Sequence, residues 1–210
     1  MPSFPDPRCK RRWVWGEYPK RVALFERGVA LCDYFLAHNR LPALRFDNRQ
    51  LNGPLSVYKP KTQRVYVDVR HTYLPAGALA RQDTLSFPGH YYDYTALGVC
   101  AYEVGHHIAN ALHLTRRLPD WSMEPPIVVS PESDRVEALA LAVRLLLTNP
   151  DLLRRGRPIR YWYLTAQLRL RPVEDRRWED VLHGAEPAIF SAANRWIAHG
   201  ITRVQTFLNS

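Results

Sequence analysis

Residues 93–114 read Asp93-Tyr94-Thr95-Ala96-Leu97-Gly98-Val99-Cys100-Ala101-Tyr102-Glu103-Val104-Gly105-His106-His107-Ile108-Ala109-Asn110-Ala111-Leu112-His113-Leu114, and the rest of the chain is arranged around them. The stretch predicts one helix, capped at its start by Asp93 or Thr95. On it, Glu103 and His106 stand three apart and so share a face. His107 is rotated by about 100° from His106 on an ideal helix, so the two rings do not easily reach one point. Taken singly, each has a plain structural role available. Glu103 with His106 is an ordinary i,i+3 pair, His107 a hydrogen-bonding group between packed elements, and His113 an end-of-helix residue.

A sharper reading starts from the spacing of a metal-binding helix. In H-E-x-x-H, two His four residues apart project from one helix face and grip zinc. The Glu beside the first His takes a proton from metal-bound water. A third ligand from another helix leaves one position open for that water. In Tyr102-Glu103-Val104-Gly105-His106, Glu103 holds the general-base position and His106 the second-ligand position. Tyr102 stands where the first His belongs.

The run Tyr102–Ile108 resembles the His-Glu-x-Gly-His helix of the HExxH metallopeptidases. Within them it is most similar to the gluzincin-like branch, which includes anthrax lethal factor and predicted peptidases encoded by phages and plasmids. A second helix, predicted over 132–148, adds to the likeness. Glu137-Ala138-Leu139-Ala140-Leu141-Ala142-Val143-Arg144-Leu145 resembles that branch's Glu-x-x-Ala-Glu-Ala-Phe-x-Leu segment. The resemblance makes Glu137 the third zinc ligand. It spans residues 55–148 and implies a zincin-like core: a small β-hairpin or sheet, the metal-site helix and the Glu-bearing helix. Two positions depart from the pattern. Tyr102 replaces a ligand, and Leu141 replaces the second Glu of the other helix. Glu132 lies a turn or so before Glu137, off the family register. His107 is the alternative substitute for the missing ligand. A phenol titrates near pH 10 and binds zinc poorly unless the metal deprotonates it.

Working outward, residues 18–38 predict an amphipathic helix with Val22, Phe25, Val29, Cys32 and Leu36 on its apolar stripe. Short extended runs follow at 43–46, 55–58 and 65–69, with Val65, Val67 and Val69 on one face. Lys59-Pro60-Lys61-Thr62-Gln63 is read as a hairpin loop, because Pro60 lacks a ladder donor. Residues 70–92 read as loop with a short helix near 76–82, and Asn149-Pro150 stops the second long helix. Further helices are expected at 158–169, 178–183 and 187–198, anchored by Trp162, Trp178 and Trp196. The resulting organisation is a basic Pro/Trp-rich arm at 1–17, a core at 18–150 and a helical C-terminal extension at 151–210. The fold class is α+β and mainly helical.

Composition bounds the function. Of 210 residues, 46% are hydrophobic and 23% charged, which suits a folded chain with a real core. No run of 18 apolar residues occurs, so no membrane span is expected, and the N-terminus lacks the apolar centre of a signal peptide. Three scattered cysteines, Cys9, Cys32 and Cys100, give neither a disulfide framework nor a zinc knuckle, which suits a reducing compartment. The net charge of +9, nearly all from Arg, permits contact with nucleic acid or another acidic surface, though no nucleic-acid-binding module signature is present. A nucleophile elbow, a Gly-rich phosphate loop and a second E-x-x-H are all missing, which removes acyl-transfer triads, phosphate-loop enzymes and di-iron carboxylate sites.

Three expectations follow. The first is a metallopeptidase-fold protein whose zinc site is degenerate, with zinc weakly held or absent, acting as a structural or interaction module on a protein partner. It would reside in the cytoplasm, or in a virion if phage-encoded. The second is an active zinc peptidase using His106, Glu137 and either Tyr102 or His107, with Glu103 as base. The third is a basic nucleic-acid-associated protein in which the central helix is plain core.

Overall fold

The computed structural model describes residues 18–74, 89–91, 93–114, 118–127 and 134–173. The arm at 1–17, the short helix expected near 76–82, Glu132, and the helices expected at 178–183 and 187–198 with Trp178 and Trp196 lie outside the described residues.

The first helix, α1, spans Tyr18–His38. Its buried side carries Leu24, Phe25, Gly28, Leu31, Cys32, Phe35 and Leu36. Val22 and Val29, expected on that stripe, are only half-buried beside it. Gly28 explains the rotation. A Cβ there would stand 2.9 Å from Leu97 Cα, so the bare backbone of α1 is what the central helix packs against.

Three strands follow: β1 (Arg45–Asn48), β2 (Ser56–Lys59) and β3 (Arg64–Val67), in the spatial order β1-β3-β2. β2 and β3 form the expected antiparallel hairpin across a 3-10 turn at Pro60–Thr62, closed by Gln63 in the left-handed conformation at φ 49°. The run expected at 43–46 becomes β1 two residues later and pairs parallel to β3. Val65, Val67 and Val69 are fully buried under the helices.

The central helix, α2, is Ala96–Ala111, inside the predicted 93–114. Thr95 is its cap, accepting from the Gly98 N–H at 3.2 Å. Asp93 supports the cap from one step back, accepting from the Thr95 N–H at 3.1 Å and the Thr95 hydroxyl at 2.6 Å. The second long helix, α3, is Arg135–Thr148, capped by Asp134 through the Val136 N–H at 2.8 Å. Asn149 ends it as expected, but Asn149-Pro150 also starts a helix not foreseen, α4 (Pro150–Gly156). Asn149 caps α4 by accepting from the Leu152 N–H at 3.0 Å, and Pro150 sits in the first turn, where no backbone donor is needed. The helix expected at 158–169 is α5 (Pro158–Trp162) running into a π-helical turn at Tyr163–Gln167. Glu124 holds its start, accepting from the Ile159 N–H at 2.6 Å.

The architecture is therefore α+β and mainly helical, with a small mixed sheet. α2 is its centre: α1 and α3 flank it, and β2 and β3 lie against it. Leu153, Leu164, Leu170 and Val173 join the same hydrophobic core as α1–α3. Among the described residues no helix is long and apolar enough to cross a membrane.

Candidate functional site

The site is set by how closely α2 and α3 approach. Gly105 faces Ala140, and a Cβ on Gly105 would run into the Ala140 backbone. This small-residue crossing puts the side chains beside it on each helix into contact. Those residues are Tyr102 and His106 on α2 and Glu137 on the first turn of α3.

The Glu137 carboxylate bridges the two. The Tyr102 hydroxyl donates a hydrogen bond to Glu137 Oε2. Glu137 Oε1 lies 3.7 Å from His106 Nε2. The Tyr102 and His106 rings meet edge-to-face, with centroids 4.8 Å apart and planes at 85°. His106 and Glu137 are each 20% exposed, so the pair opens to solvent, while Tyr102 is buried. Burial, followed by the adjacent Glu137 charge and the hydrogen bond to it, pushes the Tyr102 phenol well above its ordinary range. At neutral pH the phenol is a donor.

Glu103 points to the sheet instead. It is 4% exposed, and its Oε1 accepts from the Ser56 hydroxyl on β2 at 2.5 Å. Burial raises its carboxyl pKa. The neighbouring His106 charge and the Ser56 hydrogen bond pull the other way, and the Glu137 charge adds to the rise. A general base must touch water, and this carboxylate is shielded and already bound.

His107 lies on a third side of α2 and is fully buried. Its Nε2 donates to the Pro42 carbonyl at 2.8 Å, and its Nδ1 stands 3.0 Å from the Tyr58 hydroxyl. The carbonyl can only accept, so Nε2 carries the hydrogen and Nδ1 accepts from Tyr58. Burial lowers the pKa, partly offset by the Pro42 contact, and keeps the ring neutral. Neither nitrogen is left over for a metal, so the substitute-ligand role expected of His107 has no donor to fill it. His113 sits beyond the helix end in the left-handed region, φ 52°, and is exposed.

Of the residues expected at the site, Tyr102, His106 and Glu137 come together, Glu103 is adjacent and turned away, and His107 is elsewhere. Leu141, at the second departure, is a buried core residue. Sequence reasoning missed two partners, Ser56 and Tyr58. Their signal was available, because they stand two apart on a strand and therefore face the same side as Val65 and Val67 across the hairpin.

A catalytic zinc ion takes three protein ligands and one open position. Here one ring nitrogen and one carboxylate face the site, and the third group is a protonated phenol that spends its hydrogen on that carboxylate. The donor set is one ligand short, and its carboxylate is already engaged. Among the described residues no three of His, Cys, Asp and Glu gather closely enough to hold a metal ion.

No protein-family model, curated protein or solved structure matches this chain.

Proposed function

We propose that this chain is a metallopeptidase-like protein of zincin-like fold whose zinc site is degenerate, and that it serves as a structural or interaction module without hydrolysing peptides. Support for the ancestry comes from the chain order: a helix, a small sheet with a hairpin, the helix bearing Glu103 and His106, then the helix bearing Glu137. The loss of chemistry is carried by one observation. The Tyr102 hydroxyl donates to Glu137, so the residue in the first-ligand position ties down the residue in the third. The Ser56-bound, buried Glu103 points the same way. On this reading the former active-site groups have become ties between α2 and its neighbours.

The test is metal content together with turnover. The purified chain, dialysed against zinc and then freed of excess, is expected to carry no stoichiometric zinc and to leave casein and peptide libraries uncut. Stoichiometric zinc with peptide cleavage that Glu103→Gln abolishes would establish the active-peptidase alternative instead.

A further inference from the structure

The sheet presents two unlike faces. Ser56, Tyr58, Val65 and Val67 turn toward the helices, as the contacts of Ser56 with Glu103 and of Tyr58 with His107 require. Period-two alternation then sends the intervening residues outward. In register across the outer face, Lys59 lies beside Arg64, and Arg64 beside Arg45. The next row holds Val57, Tyr66 and Asp47. Arg49, two residues beyond Asp47, places its guanidinium 5.4 Å from the centre of the Tyr66 ring. Arg45, Arg49 and Lys59 are exposed, and Arg64 and Tyr66 half-buried.

Three cations side by side on neighbouring strands repel one another, and directly opposed like charges destabilise a sheet. Of the nearby acids, Asp47 pairs with Arg64, the middle cation, at 3.3 Å, and buried Asp68 is held by Arg70 at 2.8 Å and His71 at 3.2 Å, so among the described residues neither Arg45 nor Lys59 has a carboxylate in ion-pair reach. A row of three cations, of which Arg64 alone pairs with a carboxylate among the described residues, beside one aromatic ring complements a ligand with spaced negative charges and flat apolar rings. That is single-stranded nucleic acid, which proteins bind by pairing a basic track with aromatic stacking platforms. Duplex DNA offers no unstacked base to Tyr66, and an acidic peptide or anionic lipid surface offers charge without rings.

We infer that the outer face of the β1-β3-β2 sheet binds single-stranded nucleic acid, with Lys59, Arg64 and Arg45 meeting phosphates and Tyr66, flanked by Arg49, stacking on a base. The surface lies on the side of the sheet away from α2 and does not rest on the zinc-site reading.

Fluorescence anisotropy with a labelled single-stranded oligonucleotide of about 16 bases reads the interaction in the full chain. Three cations in contact with phosphate give a log–log salt slope of about −2.1, a roughly 20-fold loss of affinity between 50 and 200 mM salt. The double variant R45Q/K59Q should flatten the slope by about 1.4, to roughly a 3-fold loss over the same range. Tyr66→Leu should weaken binding by about 5-fold or more without changing the slope. Lys59→Glu alone, which leaves the Arg64–Asp47 contact in place, should weaken binding in a chain whose circular dichroism is unchanged. A slope unaffected by R45Q/K59Q would overturn the assignment, as would affinity indifferent to Tyr66→Leu. Polyglutamate or phosphatidylserine vesicles competing as well as the oligonucleotide would do the same.

Discussion

Placing at position 102 the imidazole that the HExxH pattern carries there is the most direct probe of the α2–α3 crossing. Tyr102→His puts an imidazole where the phenol now bonds Glu137. Two donors on one tetrahedral zinc, each at about 2.0–2.2 Å, stand about 3.3–3.5 Å apart. His106 Nε2 and Glu137 Oε1 are already 3.7 Å apart, so a few tenths of an ångström separate the present side chains from a ligating arrangement. Gly105 against Ala140 fixes that spacing at the backbone level, and the substitution leaves both untouched. Loss of an outer-sphere partner alone costs a zinc site about 10–100-fold in affinity, so gaining a true ligand should raise affinity by more than about 100-fold. At a free zinc concentration of about 100 times the dissociation constant, binding stabilises the folded state by about 2.7 kcal/mol. For a chain of this size that is a melting-temperature rise of roughly 5–10 °C. Calorimetry and elemental analysis of Y102H should show one zinc per chain, with the thermal shift, while the wild type under the same zinc shows neither. Adding Glu137→Ala to Y102H should erase both effects. A folded Y102H that takes up no zinc, or a wild type that shifts equally, refutes the view that Tyr102 closed the site.

Other substitutions separate the roles along α2. Glu103→Gln removes a carboxyl whose folded-state pKa burial has raised, so the folded chain holds that proton more tightly than the unfolded chain does. Wild-type stability is then lost as pH rises from the unfolded carboxyl value through the raised folded one, and the variant should gain on wild type in urea melts run at increasing pH above the ordinary carboxylate range; no gain would count against a buried Glu103 carboxyl. His107→Ala strands the Pro42 carbonyl and the Tyr58 hydroxyl and opens a cavity, a loss of about 2–5 kcal/mol. His106→Ala gives up a partly exposed ion pair and one ring contact, about 1–2 kcal/mol, so denaturant melts that rank the two the other way would contradict the geometry. Gly105→Ala forces α2 and α3 apart and should cost about 1–3 kcal/mol or more, while Gly53→Ala, with open space around it, tests strain from φ 123° alone.

What the sequence disclosed and what it withheld divide along physical lines. The α1 and α2 spans and the β2–β3 hairpin were legible because periodicity and turn residues are local signals. The Glu103–His106–Glu137 set was legible as candidates because ligand spacing is also local to each helix. Which way each side chain turned was not. Gly28 and Gly105 set the rotation of the packed helices through contacts with Leu97 and Ala140, partners 69 and 35 residues away in the chain, and no window of sequence contains both halves of such a contact. Pro150 misled in the opposite direction. A proline ends one helix and begins another with equal ease, and only the Asn149 cap, serving both, tells which has happened. The basic sheet face was hidden for the same reason. Lys59, Arg64 and Arg45 are scattered in sequence, and only strand register sets them in a row.

The polar groups on α2 share one consequence whatever their history. Tyr102 ties the helix to α3 through Glu137, Glu103 ties it to β2 through Ser56, and His107 ties it to β2 and to the segment before β1 through Tyr58 and Pro42. An apolar helix buried among Leu, Val and Ala side chains could slide or rotate at small cost, because dispersion contacts are alike in neighbouring registers. These three ties permit one register only, since a shift of one residue would leave buried donors and acceptors unpaired at about 1–3 kcal/mol each. Replacing all three by apolar isosteres, Tyr102→Phe with Glu103→Leu and His107→Leu, should therefore leave helical content nearly unchanged while broadening the side-chain resonances of α2 and flattening the unfolding transition. If that triple variant kept sharp resonances and an equally steep transition, the polar residues would have no part in fixing the helix, and their grouping would need another cause.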